Sequence, residues 1–270
     1  MGNVSKKGMS KLRAYIREIY QSRSYLHSLV RKDLIGRYKN SVFGFSWHFI
    51  IPVILSLVYY IMFSSGIRSS PVDNFVVYLL SALFPFTFMV SCITGGSGCI
   101  TGNAMLIKKV YFPREIIVLS YVVSNYIVAL IGYSISLLII VGTGHPIGFN
   151  FLFILPMWII VFIFGLGCSL LFSSMNVYVR DIQYFLGSIN MVFMFLTPLY
   201  FLPDTVSGLM KTVVTVNPLT YYVEAFHHCI YYGTYPDIVD WGACVLIALL
   251  LFFIGLLVFN KTKRGFVERL

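Results

Sequence analysis

Apolar residues along most of this chain neither alternate nor recur every third or fourth position; they run on without interruption. Six such runs, roughly 46–65, 75–95, 116–142, 151–175, 184–202 and 241–260, contain no Asp, Glu, Lys or Arg. A bilayer core of ~30 Å takes about 20 helical residues to cross, so each run predicts a membrane span. His48, near the start of the first run, is the one interior side chain that titrates near neutral pH.

Periodicity returns outside the runs. Leu12, Tyr15, Ile16 and Ile19 follow helical spacing, as do Leu26, Leu29, Val30 and Leu34, while Arg13, Arg17, Arg31 and Lys32 lie off those stripes. Residues 1–45 therefore predict an amphipathic segment lying in the membrane interface, serving lipid anchoring or partner docking. Between the last two runs, residues 203–240 hold two apolar pieces, TVSGLMKTVVTV and PLTYYVEAFHHCIYYG. Each is too short to span, and bare irregular backbone is not tolerated in lipid. A re-entrant pair of short helices is the expected form. The fold class is all-α integral membrane, with residues 46–270 as one six-span domain.

Composition agrees: 58% of residues are hydrophobic, mean hydropathy is +0.83 and 11% are charged, against about a quarter charged in soluble domains. A net charge of +10 suggests nucleic acid in a soluble chain, but here it follows topology. With both termini cytoplasmic, 18 of the 20 Lys and Arg fall on the inner side, leaving Arg68 and Lys211 outside; short flanking loops are expected to be positive inside. No nucleic-acid partner is expected. The five cysteines show no CxxC and read as packing residues, with no metal site.

Several chemistries are missing. Ion-coupled transporters keep ionisable groups within the membrane, and these runs have none. His227 and His228 are adjacent, so on a helix they diverge. GGSGCITG (95–102) looks like a phosphate loop, but a Walker A loop needs Gly-Lys followed by Ser or Thr, and no Gly-Lys occurs in the chain. It reads instead as a flexible inner end to the second span. No enzyme activity and no cofactor of its own are expected, so energy for transport must come from another chain.

One peptide stands apart from this apolar body: NAMLIKKVYFPRE, residues 103–115, stiff, basic and half apolar between two spans. With KDLIGRYKNSVFGFSWHFIIPV (32–53), VYVRDI (177–182), TPLYF (197–201), NPLTYYVEAF (217–226) and the closing FVERL, it resembles ABC-2 type polysaccharide-export permeases, in the family's order. The O-antigen exporters (Wzm-like) look nearest, with teichoic-acid and capsule exporters as cousins. Asn103, Lys108, Phe112, Pro113 and Arg114 match the family pattern, as do Arg37, Tyr38, Ser41 and Gly44; Val42-Phe43 stands where a leucine often precedes the glycine.

The resemblance implies a permease in the bacterial inner membrane that pairs with a second copy of itself and with two ABC ATPase subunits, which bind ATP and Mg. It also implies an undecaprenyl-diphosphate-linked polysaccharide as cargo. The 103–115 peptide is then a coupling helix in a groove of the ATPase. Met105, Leu106 and Val110 would supply the apolar contact, Lys108, Lys109 and Arg114 the polar rim, and Pro113 a fixed lead into span three. Arg180-Asp181 is either a smaller second contact or a local ion pair.

A sugar polymer needs weak, repeated contacts, and aromatic rings, 17% of this chain, suit that. The resemblance sets the conduit at spans one and five. The candidates there are Phe45, Phe49, Tyr60 and Phe63, then Tyr184, Phe185, Phe193, Phe195 and Tyr200. Tyr221, Tyr222 and Phe226 would close its outer mouth. Arg31, Lys32, Arg37, Tyr38 and Lys39 form the interface-helix side that would receive the anionic lipid diphosphate. Two other readings compete: an ABC-2 permease for another amphiphile, such as a drug or lipid, and a membrane enzyme of lipid-linked sugar assembly.

Overall fold

The structure, a computed structural model, describes residues 22–39, 72–110, 112–146 and 148–270, with single positions between 46 and 61. Most of the expected first span, the stripe of Leu12, Tyr15, Ile16 and Ile19, and the path candidates Phe45, Phe49, Tyr60 and Phe63 lie outside the described residues, as does the side chain of Tyr38. Among the described residues every regular element is helical: α1 (Arg23–Tyr38), α2 (Phe75–Ser97), α3 (Cys99–Gly102), α4 (Ala104–Lys109), α5 (Glu115–Gly142), α6 (Ile154–Tyr178), α7 (Asp181–Leu196), α8 (Gly208–Val216), α9 (Pro218–Ile230), α10 (Ile238–Thr262) and α11 (Phe266–Arg269), with short 3-10 turns between some of them.

Four described stretches are long and apolar enough to cross a membrane: Phe75–Ser97, Glu115–Gly142, Phe149–Tyr178 and Ile238–Arg269. They coincide with the second, third, fourth and sixth apolar runs. The fifth run is shorter in the structure than expected. Its helix, α7, stops at Leu196 after 16 residues, about 24 Å at 1.5 Å per residue. The reason is local: Thr197 precedes Pro198, a residue before proline is pushed out of the α region, and Thr197 adopts ψ 136.

α2 is apolar all round and is the buried centre, as such a helix must be; Tyr78, Leu79, Leu80, Ala82, Met89 and Cys92 are all but inaccessible. It packs against α5, α6, α7 and α9. α10 lies on α6 at a close crossing, where a Cβ on Gly167 would meet the Phe252 amide nitrogen at 2.5 Å and one on Gly255 the Gly167 carbonyl oxygen at 2.5 Å. Small residues allow such backbone approach between membrane helices. The rest of α10 points Leu246, Phe253 and Leu257 outward.

α8 and α9, of 9 and 13 residues, are too short to cross. α9 opens on Pro218 at its first turn, capped by Asn217 Oδ1 accepting from the Leu219 amide at 3.0 Å. A polar knot seats it. The Tyr78 hydroxyl donates to the carbonyls of Pro198 and Phe201, 2.9 Å each. His227 stacks on the Tyr78 ring at 3.8 Å, its Nδ1 lying 2.9 Å from Ser81 Oγ.

Candidate functional site

The sequence points to the end of the bundle that carries α4. The two glycines at the end of α2, expected to loosen it, instead continue the helix. Gly95 and Gly96 are approached by the side chains of Tyr121 and Ser169 so closely that a Cβ at either would collide. Asn103 then breaks the rod between α3 and α4, its Nδ2 donating to the Cys99 carbonyl at 2.9 Å. Lys108 and Lys109 occupy the last turn of α4, where cations complement the helix dipole. Val110 is extended, and after Pro113 the chain enters α5 with Glu115 in its first turn.

α4 is held by a core of its own. Ile107 and Phe112, 7% and 8% exposed, join Ile100, Ile116, Val177, Phe259 and Phe266 in a second apolar cluster. Tyr25 of α1 stacks on Phe112 at 6.1 Å and 12°. Across the cluster, Lys263 Nζ pairs with Glu115 at 2.5 Å, joining the start of α5 to the turn after α10. Ile107 thus anchors the short helix in this cluster, while segments distant in sequence hold the loop after it and the start of α5. Its other face is free: Met105 is 69% exposed, and Lys108, Lys109 and Val110 are exposed too. Leu106, expected to face outward, is half-buried against the cluster. Ile107, the true anchor, has no signature in the sequence, because six residues show too little periodicity to reveal a buried face. A cleft of about 650 Å³ beside α4 is lined by Lys108, Lys109, Arg114, Lys263 and Arg264, with Glu115 as its one carboxylate among the described residues.

α1 buries the predicted stripe, with Val30 buried and Leu26, Leu29 and Leu34 half-buried, while Arg31, Lys32 and Lys39 stay exposed. It packs along α5. From Tyr25 against Phe112 it climbs alongside α5 to Arg37, whose Nη1 donates to Asn125 Oδ1 at 3.0 Å. Arg37 also donates twice to Asp33 Oδ2, at 3.1 and 2.8 Å, so its charge is already answered.

The aromatic candidates divide. On α7, Tyr184, Phe185 and Phe195 are exposed and Phe193 is partly buried against the main core, as is Tyr200 in the turn beyond it. Of the three expected at an outer gate, Tyr222 and Phe226 are fully buried. Tyr222 donates to the Cys244 carbonyl at 2.8 Å and packs on Phe164; Phe226 packs on Tyr133 and Trp158. These two are core residues, and Tyr221 alone keeps a partly exposed ring, its hydroxyl donating to the Thr215 carbonyl. Arg180 and Asp181 form no ion pair among the described residues. All five cysteines are free and buried. Among the described residues no group of three or more His, Cys, Asp or Glu is arranged to hold a metal.

Known proteins share this chain's pattern along most of its length. The family profile described as ABC-2 type transporter matches residues 25–231. The chain is 29% identical over 243 residues to the O-antigen export system permease protein RfbA of Klebsiella pneumoniae, covering 89% of this chain and 92% of that one. It is 25% identical over 255 residues to a protein of the same description from Myxococcus xanthus, with 94% and 98% covered. It is 22% identical over 253 residues to the capsule polysaccharide export inner-membrane protein CtrC of Neisseria meningitidis serogroup B, with 90% and 92% covered.

Proposed function

The chain belongs to the ABC-2 type transporter family, and from that membership we propose that it is the permease subunit of an ATP-driven exporter of surface polysaccharide. Its relatives carry O-antigen and capsule export in their descriptions. The cargo is a lipid-linked polymer crossing the bacterial inner membrane. Two permease copies work with two ATPase subunits, which bind ATP and Mg. Six spans, with α7 as the fifth, bring both termini to the cytoplasm, and α8 and α9 form a re-entrant pair on the outer side.

The observation that carries this reading is α4. A six-residue helix anchored on one face and bare on the other, with exposed Met105, Lys108 and Lys109, is built to pass force between a partner and the bundle. A helix that only turned the chain would need no such anchor. Asn103 sets its start, Phe112 and Pro113 fix its far end, and Arg114 joins the basic rim. Tyr184, Phe185 and Phe195, on the open face of α7, offer rings to a passing glycan, with Phe193 and Tyr200 behind them.

Deleting the gene in its host tests the assignment. The lipid-linked polymer is expected to accumulate on the cytoplasmic side while the surface loses it. Unchanged surface polysaccharide contradicts the assignment.

A further inference from the structure

We propose that the cleft between α3, the end of α6, the start of α7 and α11 binds the sugar-diphosphate junction of a lipid-linked glycan. The proposal rests on the polysaccharide-export reading and assigns its charged end to a different place from the exposed cations of α1. The cleft has a volume of about 380 Å³, and among the described residues its lining includes Arg180 and Arg269 and no acidic side chain. Neither arginine takes part in an ion pair among the described residues. Arg37, by contrast, is already bound to Asp33.

Both arginines are poised. Arg180 stands at the start of α7. Arg269 lies over the Tyr178 ring at 5.5 Å, and the Tyr178 hydroxyl is itself fixed by donating to the Thr262 carbonyl at 3.0 Å. Stacking uses the face of a guanidinium and leaves its N–H edge for a two-pronged contact with phosphate oxygens.

The wall behind them asks for something an anion alone does not bring. Asn176 is 1% exposed. Its Nδ2 lies 3.4 Å from Thr101 Oγ1 and from Gln183 Oε1. The Thr101 hydroxyl donates to the Gly98 carbonyl at 3.1 Å. That leaves Asn176 Oδ1 buried without a partner, which is unfavourable until a donor reaches it. Phosphate oxygens answer the arginines, and a sugar hydroxyl that displaces the Gln183 side chain from Asn176 answers its buried oxygen; a sugar diphosphate has both. At the rim Tyr184 is 77% exposed, a ring against which the apolar face of the sugar or the first isoprene units can lie.

The test measures binding of farnesyl-diphospho-N-acetylglucosamine to the full-length protein in neutral detergent, with Arg180→Gln and Arg269→Gln beside it. Both positions are exposed, and Lys211→Gln at the opposite end serves as control. Losing one charge-assisted contact weakens binding about tenfold, so each arginine variant should fall by that factor and Lys211→Gln should not. Inorganic pyrophosphate should compete only weakly, and phosphatidylglycerol micelles should not displace the probe.

Pyrophosphate binding as tightly, or displacement by phosphatidylglycerol, would mean a simple anion or headgroup site and overturn the proposal. Unchanged affinity in both arginine variants would refute this cleft while leaving the export reading intact. No binding to the unmodified protein would overturn both.

Discussion

Met105 and Ile107 are two positions apart on α4 and have opposite surroundings: one is in solvent, the other under the apolar cluster that includes Phe112 and Phe266. Removing a buried phenyl ring costs about 3 kcal/mol, whereas trimming an exposed side chain changes stability by about 0.5 kcal/mol or less. Phe112→Ala should therefore lower the unfolding free energy several-fold more than Met105→Ala, measured by denaturant unfolding in detergent. Glu224 gives a pH signature. Burial pushes its carboxyl up to about 8 from the ordinary 4.5, and Asp204 and Asp240 add to the rise. The native state keeps this proton when the unfolded chain has lost it, so between those values stability falls as pH rises. Glu224→Gln should flatten that decline in thermal-unfolding curves; an unchanged slope would remove Glu224 as its source. At this scale the sequence was least legible. Tyr222 and Phe226 are as aromatic as Tyr184, and only packing separates core rings from open ones.

Elements were easier to read, because a span is a long statement made by about 20 residues at once. α2, α5, α6 and α10 begin and end within a few residues of the apolar runs that announced them. α7 departed because its run continued in apolar residues to Leu202 while Thr197-Pro198 stopped the helix, leaving the Pro198 and Phe201 carbonyls to bind Tyr78. The glycines of GGSGCITG misled in the other direction: their freedom is spent on close packing against Tyr121 and Ser169. The same logic makes the α6–α10 crossing intolerant. Gly255→Val sets a branched side chain where even a Cβ meets the Gly167 carbonyl at 2.5 Å. It should prevent recovery of monodisperse protein by size exclusion, whereas Gly242→Ala, with open space around it, should leave recovery unchanged.

Across the whole molecule the arrangement is polarised. One end gathers α1, α4, the start of α5 and the segment after α10 around a small core and a basic cleft. The other end seats α9 on the main core through Tyr78, Ser81 and His227. The charge pattern announced this polarity from sequence, since Lys108, Lys109, Arg114, Lys263 and Arg264 sit in loops or helix ends next to apolar runs. What it did not announce is that residues more than 140 positions apart, Glu115 and Lys263, would be joined there. Coupling between α4 and the bundle is the central claim. The most direct measurement compares ATP-driven polysaccharide export by the unaltered complex with that of the Lys108→Glu, Lys109→Glu double variant at equal membrane levels. We expect normal insertion with export and stimulated ATP hydrolysis both lost, because the reversed charges would repel the partner surface proposed to receive the lysines. Export at the unaltered rate would contradict the role given to α4.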